Sequence, residues 1–206
     1  MTTIAVIDYG MGNLRSVTKA LAHVGATPRI VTDAAEVDAA DAVVLPGVGA
    51  FGDCVRALRG HGLVDSVRAG IESGRPFLGI CLGLQALFDT SDEAPGEPGL
   101  GIVPGHVAEF EATPELKVPH MGWNRLEIAR PGCPLLDGID DGSYVYFVHS
   151  YYCVPADDEW TVGRAEYGVN FTAMIWRDRM FATQFHPEKS QEVGLTMLRR
   201  FVELSG

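Results

Sequence analysis

The first half of the chain alternates between short apolar runs and segments whose apolar residues recur at helical spacing. Buried strands are predicted at four apolar runs, residues 4–8, 28–31, 42–45 and 77–80. One helix is predicted where leucine and valine recur between Leu14 and Val24, before Gly25, and another over residues 63–73. This alternation is typical of a parallel sheet covered on both faces, in which ligands bind beyond the carboxyl ends of the strands.

The pattern changes in the second half. Residues 91–101 are rich in proline, glycine and acidic residues, which indicates a surface excursion. Short strand-like runs follow at residues 103–110, 123–128, 144–149, 161–167, 173–177 and 180–185. A closing helix is predicted over residues 191–204. We therefore predict a single α/β domain over residues 1–206, with a mostly parallel central sheet flanked by helices and an added antiparallel β portion in the second half.

A cysteine stands where a strand is predicted to turn sharply into a helix over residues 82–88. Cys81 has Gly79 and Gly83 two residues away on either side, and such a strained turn needs residues without Cβ atoms there. At a helix N-terminus the dipole and free N–H groups favour thiolate and can hold a developing oxyanion. The segment is thus a nucleophile elbow with sulfur, although a tight turn around an inert, buried cysteine has the same sequence.

A second candidate segment follows the last predicted strand. His186-Pro187-Glu188 comes directly after residues 180–185, and proline favours an extended conformation for the residue before it. Residues two apart in extended chain face the same side, so Glu188 can orient the imidazole of His186. Alone, this segment is an ordinary loop after a strand. Together with Cys81 it predicts a triad of nucleophile, base and orienting carboxylate.

A glycine-rich turn after the strand at residues 42–45 is a candidate partner of the elbow. Gly47 and Gly49 allow backbone N–H groups to approach a ligand or to turn without obstruction by Cβ atoms. The functional interpretation is a second oxyanion donor, and the alternative is a simple tight turn. A phosphate-binding loop is a weaker interpretation, because the lysine and threonine of a P-loop do not follow.

Composition limits the other functions to consider. The 206 residues are 47% hydrophobic and 21% charged, with a net charge of −11, which argues against a nucleic-acid or anionic-membrane surface. The four cysteines form no Cys-x-x-Cys pair and the six histidines have no metal-ligand spacing, so we expect no disulfide, metal or cofactor. The beginning of the sequence lacks the features of a secretion signal, and we expect a cytoplasmic location.

Six segments resemble those of class I, triad-type glutamine amidotransferases and, more narrowly, the glutaminase subunits of imidazole glycerol phosphate synthase in histidine biosynthesis. They are DYGMGNL at 8–14, PGVGAF at 46–51, GICLGLQ at 79–85, PHMGWN at 119–124, YFVHSY at 146–151 and HPEKS at 186–190. The elbow and His-Pro-Glu carry the resemblance to the superfamily. The segments at 119–124 and 146–151 carry the resemblance to the histidine branch.

The resemblance implies a role for each candidate residue. Cys81 would attack the γ-amide carbonyl of glutamine to form a thioester, His186 would pass a proton to the departing ammonia, and Glu188 would orient His186. The implied oxyanion hole uses backbone N–H groups of Gly47, Val48, Gly49 and Leu82. The implied binding residues for the amino and carboxylate groups of the substrate are Gly49, Gln85, Ser150 and Tyr151. Without the resemblance, Gln85, Ser150 and Tyr151 would be interpreted as a polar helix face and an edge strand.

The resemblance also implies a partner. Ammonia would pass to a separate (β/α)8-barrel cyclase subunit, which makes imidazole glycerol phosphate and aminoimidazole carboxamide ribotide, and glutamine hydrolysis would be slow until this heterodimer and its ligand assemble. The turn at 47–49 is the expected site of that control. The implied contact residues are Asn13, His120, Met121, Trp123, Tyr146 and Lys189. For Trp123 and Tyr146, the alternative is a buried aromatic cluster.

Three alternatives remain at this point. The glutaminase subunit of pyridoxal phosphate synthase has the same triad and a barrel partner, but should lack the segment at 119–124. A catalytically silent module on the same fold would carry an unreactive thiol at Cys81. A peptidase with a Cys-His pair would cleave its substrate without a partner.

Overall fold

A mixed β-sheet runs through the protein, and a computed structural model describes residues 2–114 and 116–206. The strands are β1 (Thr3–Ile7), β2 (Thr27–Val31), β3 (Ala42–Gly47), β4 (Phe77–Cys81), β5 (Phe88–Ser91), β6 (Val103–Glu109), β7 (His120–Ile128), β8 (Ser143–His149), β9 (Tyr151–Pro155), β10 (Thr161–Tyr167), β11 (Val169–Arg177) and β12 (Met180–Thr183). The helices are α1 (Leu14–His23), α2 (Ala34–Asp38), α3 (Phe51–Gly60), α4 (Val64–Glu72), α5 (Leu82–Gln85) and α6 (Gln191–Leu204).

The strand order places the two predicted chemical segments side by side. Along the sheet the order is β2-β1-β3-β4-β12-β11-β10-β7-β8, and β9, β6 and β5 form a branch from β11. Strands from β2 to β12 pair in parallel, and those from β12 to β8 pair antiparallel. Because β4 lies between β3 and β12, the ends of these three strands meet at one edge.

The strand pleat divides the core into two layers. On β1, Ile4 and Val6 face one layer, and Ala5 and Ile7 face the other, as expected for successive residues of a buried strand. The layer of Ile4 contains buried residues of α1 and α6, and the layer of Ala5 contains buried residues of α3 and α4. Burying each leucine or phenylalanine side chain contributes about 1.5–3 kcal/mol, so the helices are held by their apolar faces.

Most of the predicted elements are confirmed. The helix predicted over residues 63–73 is Val64–Glu72, and the closing helix has the predicted bounds. The helix predicted over 82–88 is wrong beyond residue 85, because the chain turns and continues as β5. The predicted parallel sheet with an added antiparallel portion in the second half is confirmed as one mixed sheet, in which β2 to β12 pair in parallel and β12 to β8 pair antiparallel. None of the helices in the described part of the chain is long and apolar enough to cross a bilayer.

Candidate active site

The backbone of Cys81 has the strained geometry expected of a nucleophile elbow. This residue ends β4 with φ 55° and ψ −107°, a conformation that side chains with a Cβ rarely adopt. A Cβ at Gly79 would lie 2.9 Å from the carbonyl oxygen of Gly83, and a Cβ at Gly83 would overlap the carbonyl oxygen of Leu45. Both glycines are therefore required by the close packing of β4, α5 and β3 around the turn.

Two hydrogen bonds involve the sulfur of Cys81. The thiol donates a long hydrogen bond to the Val148 carbonyl oxygen at 3.9 Å. The amide Nε2 of Gln184 donates to Sγ at 3.6 Å. Gln184 was not among the predicted site residues, although it stands two positions before His186. Its polar side chain within the apolar run predicted as a strand at 180–185 was the available signal.

His186 and Glu188 form a buried pair beside the nucleophile. The imidazole Nδ1 lies 2.8 Å from Oε1 of Glu188, and the two side chains are 1% and 0% exposed. The backbone N–H of His186 donates to the carbonyl oxygen of Tyr146, which ties the backbone of His186 to β8. The second imidazole nitrogen, Nε2, is buried without a hydrogen-bond partner among the described residues. It is therefore available for proton transfer.

The protonation of His186 follows from its neighbours. Burial lowers the pKa of the imidazole, but interactions with the Cys81 thiol and the Glu188 carboxylate outweigh burial and raise that pKa to about 10. The arrangement thus favours a protonated imidazole at neutral pH. A protonated imidazole beside sulfur can stabilise thiolate and can later donate a proton.

Gly47 lies directly beside the elbow. It is the parallel partner of Cys81 in the pairing of β3 with β4, and it is buried. A Cβ there would lie 2.6 Å from the hydroxyl oxygen of Tyr9 and 2.7 Å from Cβ of Leu82. Glycine is therefore required at this position for steric reasons. Gly47 lies behind the wall of the pocket and does not line it.

The rest of the glycine-rich turn reaches the pocket. Val48 and Gly49 line it, and Val48 is 39% exposed. Gly49 has φ +106°, and a Cβ there would overlap the terminal methyl group of Met11. Leu82 also lines the pocket as the first residue of α5, where a helix leaves its backbone N–H groups without intrahelical partners. The turn and the helix end therefore face the same space.

One pocket of about 340 Å³ brings together the predicted catalytic, oxyanion-hole and substrate-binding residues other than Gly47 and Glu188. Its lining residues are Val48, Gly49, Cys81, Leu82, Gln85, Glu93, Pro119, Val148, His149, Ser150, Tyr151 and His186. Sequence reasoning missed Glu93, which lies in the acidic excursion and accepts a hydrogen bond from the Phe51 N–H at 2.8 Å. A larger cavity of about 580 Å³ near Cys133 and α6 contains none of the predicted catalytic residues.

Gln85 is held rigidly in the pocket wall. Its Nε2 donates to the Tyr151 carbonyl oxygen at 3.0 Å and to Oε1 of Gln184 at 3.1 Å. Both amide hydrogens are thus used, and Oε1 of Gln85 accepts no hydrogen bond from the described residues. That oxygen is available to a ligand as an acceptor.

Four of the predicted contact residues lie together on the surface of the β7–β8 hairpin and the turn after His186. Met121 and Trp123 are 63% and 45% exposed. The ring of Trp123 lies edge-on to that of Tyr146 at 5.9 Å, and Nζ of Lys189 lies 5.7 Å from the Tyr146 ring centre. The exposure of Trp123 disagrees with the alternative of a buried aromatic cluster.

The other two predicted contact residues lie deeper. Asn13 is half-buried and donates to Oε1 of Glu188 at 3.4 Å. His120 is 3% exposed and stacks on Tyr167, with its Nδ1 3.0 Å from Nε2 of His149. Burial lowers the pKa of His120 to about 4 and that of His149 to about 3. In the isolated chain His120 offers little surface to a partner.

The other three cysteines differ from Cys81. Cys54, Cys133 and Cys153 are free and buried, and none of them lines this pocket. Burial raises the pKa of Cys54 to about 12 and that of Cys133 to about 11, and it also raises the pKa of Cys153. Within residues 2–114 and 116–206, no group of three His, Cys, Asp or Glu side chains could hold a metal ion.

Comparison with known proteins agrees with this geometry. A family model for "Glutamine amidotransferase class-I" matches residues 5–204. The chain belongs to the class I glutamine amidotransferase family. The predicted enzyme class and the predicted α/β fold are thereby confirmed.

The relatives of this amidotransferase narrow the branch. It is 53% identical over 206 residues to "Imidazole glycerol phosphate synthase subunit HisH" of Syntrophotalea carbinolica, covering 98% of this chain and 100% of the relative. The protein of the same description from Geobacter sulfurreducens is 51% identical over 209 residues, covering 99% of this chain and 100% of the relative. The expected place in the histidine branch is confirmed.

Solved structures agree in fold. A structure described as "glutamine amidotransferase" has a TM-score of 0.75 at 21% identity, over 98% of both chains. "PurLQS from Thermotoga maritima" has a TM-score of 0.71 at 21% identity, over 100% of this amidotransferase and 97% of that chain. At this identity the likeness concerns the fold alone.

Proposed function

We propose that this amidotransferase is the glutaminase subunit of imidazole glycerol phosphate synthase and uses Cys81, His186 and Glu188 to hydrolyse glutamine. The observation that carries the proposal is the buried pair of His186 and Glu188, 2.8 Å apart, in the pocket that contains the strained Cys81. Relatives about half identical over nearly the whole chain support the histidine branch over the pyridoxal phosphate alternative.

The chemistry proceeds through a thioester. The Cys81 thiolate attacks the amide carbon of glutamine, and protonated His186 gives its proton to the nitrogen, which leaves as ammonia as the C–N bond breaks. Neutral His186 then takes a proton from water as the water oxygen attacks the thioester. The C–S bond breaks, glutamate leaves, and the thiolate–imidazolium pair is restored.

The oxyanion of each tetrahedral intermediate needs two donors. We assign one to the backbone N–H of Leu82 and the other to a peptide N–H of the turn formed by Gly47, Val48 and Gly49. Losing one such donor typically costs about two to three decades in rate. Because glycine allows a peptide to turn at little cost, this loop also suits control by a partner.

The free acceptor Oε1 of Gln85 indicates which group of the substrate this residue binds. Since both amide hydrogens of Gln85 are bound within the protein, its Oε1 would accept from the substrate's ammonium group rather than bind the carboxylate. Gly49, Ser150 and Tyr151 are the proposed remaining contacts to the substrate's amino-acid end. Ser150 and Tyr151 are half-buried in the pocket wall, where a bound ligand can contact them.

The relatives are named as subunits of a synthase, so a partner subunit is expected. We propose that it is a separate (β/α)8-barrel cyclase, because ammonia released into water at neutral pH is mostly protonated and unreactive. The exposed apolar side chains of Met121 and Trp123 support a docking face next to the pocket. The proposed contact residues are Asn13, His120, Met121, Trp123, Tyr146 and Lys189.

Two further parts of the proposal are the single domain and the location. The family match over residues 5–204 supports one amidotransferase domain for the 206 residues. Four free cysteines are compatible with a reducing cytoplasm.

The test mixes the chain with a barrel cyclase and its nucleotide ligand and follows glutamate release. We expect ligand-dependent stimulation that Cys81→Ala and His186→Ala each abolish. Cys133→Ala is the matched control, since it removes another buried thiol outside the pocket and should keep the stimulation. Stimulation that survives Cys81→Ala would rule out the mechanism, and an unreactive thiol in the wild-type chain would favour a silent module.

A further inference from the structure

The carboxamide of Gln184 is buried against the nucleophile. The side chain is 0% exposed, and its backbone N–H donates to the Ala173 carbonyl oxygen of the neighbouring strand at 2.8 Å. Its Nε2 lies 3.6 Å from Sγ of Cys81. Burying an amide is unfavourable unless it is hydrogen-bonded, so the orientation of this group is constrained.

The hydrogen-bond network fixes which end of the amide faces sulfur. The carbonyl oxygen of Tyr151 can only accept, so Gln85 must turn its NH₂ group toward it. The other N–H of that group points at Gln184, which must therefore present Oε1 to Gln85. The NH₂ group of Gln184 is then left to face Cys81. No other assignment of the two amides satisfies these contacts.

A further hydrogen bond connects the network to two histidines. Nδ1 of His149 also donates to the Tyr151 carbonyl oxygen, at 2.8 Å. Nε2 of the same ring accepts from Nδ1 of His120 at 3.0 Å, which sets one tautomer for both histidines. The hydrogen bonds from His120 through His149, the Tyr151 carbonyl oxygen and Gln85 to Gln184 are continuous, so the amide that orients Gln184 is itself fixed.

We propose that Gln184 is a positioning residue that favours the thiolate form of Cys81 and holds its sulfur for attack. Its N–H is an uncharged donor, so it stabilises negative charge on sulfur at every pH at which the protein is folded. It also opposes the Val148 carbonyl oxygen, which binds the protonated thiol. This inference rests on the proposed function, in which Cys81 is the nucleophile.

Other groups around the sulfur titrate, and Gln184 does not. The titratable side chains that interact with Cys81 are His186, Tyr9 and Cys153, and Glu93, His149 and Tyr151 line the same pocket. None of them is removed by replacing Gln184. A change in the reactivity of the thiol with pH in such a variant therefore reports the lost donor.

The test measures alkylation of the full chain by iodoacetamide as a function of pH, with Cys81→Ala subtracted as the background of the other thiols. In Gln184→Met, which keeps the length of the side chain and removes the donor, the pH of half-maximal alkylation should rise by about one unit, and the rate at pH values below that of half-maximal alkylation should fall about tenfold. The near-isosteric Gln184→Glu should also raise the pH of half-maximal alkylation.

A matched control separates this effect from a general loss of packing. Thr172→Val removes the buried hydrogen bond between Thr172 and Thr161 on neighbouring strands and should leave the alkylation profile unchanged. In the complex with the cyclase, Gln184→Met should lower kcat about tenfold with KM within about twofold of wild type. Superimposable alkylation profiles for wild type and both Gln184 variants would overturn the proposal. Failure of the proposed function is seen separately, as glutaminase activity that persists in Cys81→Ala.

Discussion

Nδ1 of His186 lies 2.8 Å from Oε1 of Glu188, and neither side chain has appreciable contact with solvent. The two residues are separated only by Pro187, which begins a short 3-10 turn and holds His186 extended, at φ −99° and ψ 99°. A single X-Pro-X segment therefore supplies both the base and the group that fixes its tautomer, so a change at one residue affects the other directly.

Replacing the carboxylate tests this coupling. Glu188→Gln keeps the shape but removes the negative charge, so the imidazolium of His186 loses its counter-ion. We expect kcat for glutamate release to fall by about two to four decades, with the fold retained. Glu203→Gln, an exposed change on α6, is the control and should leave kcat unchanged. Full activity in Glu188→Gln would contradict the assigned role.

The raised pKa of His186 gives a prediction for pH. Because that pKa is about 10 in the folded chain and near 6.5 in an unfolded one, the ring should remain protonated between pH 6 and 8 in an NMR titration. Its contribution to stability is fully present below pH 6.5 and is lost as the pH rises toward 10. Cys81→Ala should lower the pKa of the ring. A titration near pH 6.5 in the wild-type protein would refute the charged pair.

The pH dependence of stability has the opposite sign for the buried pair His120 and His149. Burial lowers their pKa values to about 4 and 3, so both are neutral in the folded protein. Stability is then fully present above pH 6.5 and is lost as the pH falls toward 4, by on the order of a few kcal/mol. Urea unfolding at pH 7 and pH 4.5 measures this loss. His149→Gln should reduce the loss of unfolding free energy between pH 7 and pH 4.5, whereas His61→Gln, at an exposed position, should leave that loss unchanged.

The site shows which features a sequence pattern can predict. Cys81 and His186 stand in short motifs whose neighbours have steric reasons to be glycine or proline, and these motifs predicted their places in the pocket. Gln184 and Glu93 belong to no such motif. Gln184 reaches the sulfur of Cys81 because β12 pairs with β4, and Glu93 lines the pocket beside the Phe51 N–H, from which it accepts a hydrogen bond. Local spacing does not encode those long-range contacts.

The fold shows the same division. Strands buried on both faces gave continuous apolar runs and were predicted well. Helix α3 was missed, although its apolar residues Phe51, Cys54, Val55 and Leu58 recur at helical spacing and are buried. The strand β9 was missed because its pairing with β6 and β11 depends on distant segments. The helix predicted after residue 85 failed because tertiary pairing of β5 with β6 overrides local propensity.

The elbow predicts a severe effect from a single methyl group. Gly83→Ala would place a Cβ on the carbonyl oxygen of Leu45, which is backbone and cannot move aside, so we expect a loss of several kcal/mol, at least about 3. Gly60→Ala is the matched control, because its Cβ would meet no atom within 4 Å at the end of α3. It should be neutral or stabilising by up to about 1 kcal/mol. Chemical denaturation of both variants measures the difference, and equal stabilities would argue against the close approach of α5 to β3.

The proposed docking face predicts that binding and folding respond differently to one substitution. Trp123 is 45% exposed and makes an edge-on contact with Tyr146, so Trp123→Ala should change the stability of the isolated chain by less than about 1 kcal/mol. If the face binds the cyclase, an aromatic anchor of this kind contributes about 2 kcal/mol or more, which weakens the Kd by about thirtyfold. Ile30→Ala is the control, since Ile30 is 50% exposed on β2, at the far edge of the sheet. Titration calorimetry with the cyclase should show weakening only for Trp123→Ala, and equal affinities of the two variants would place the interface elsewhere.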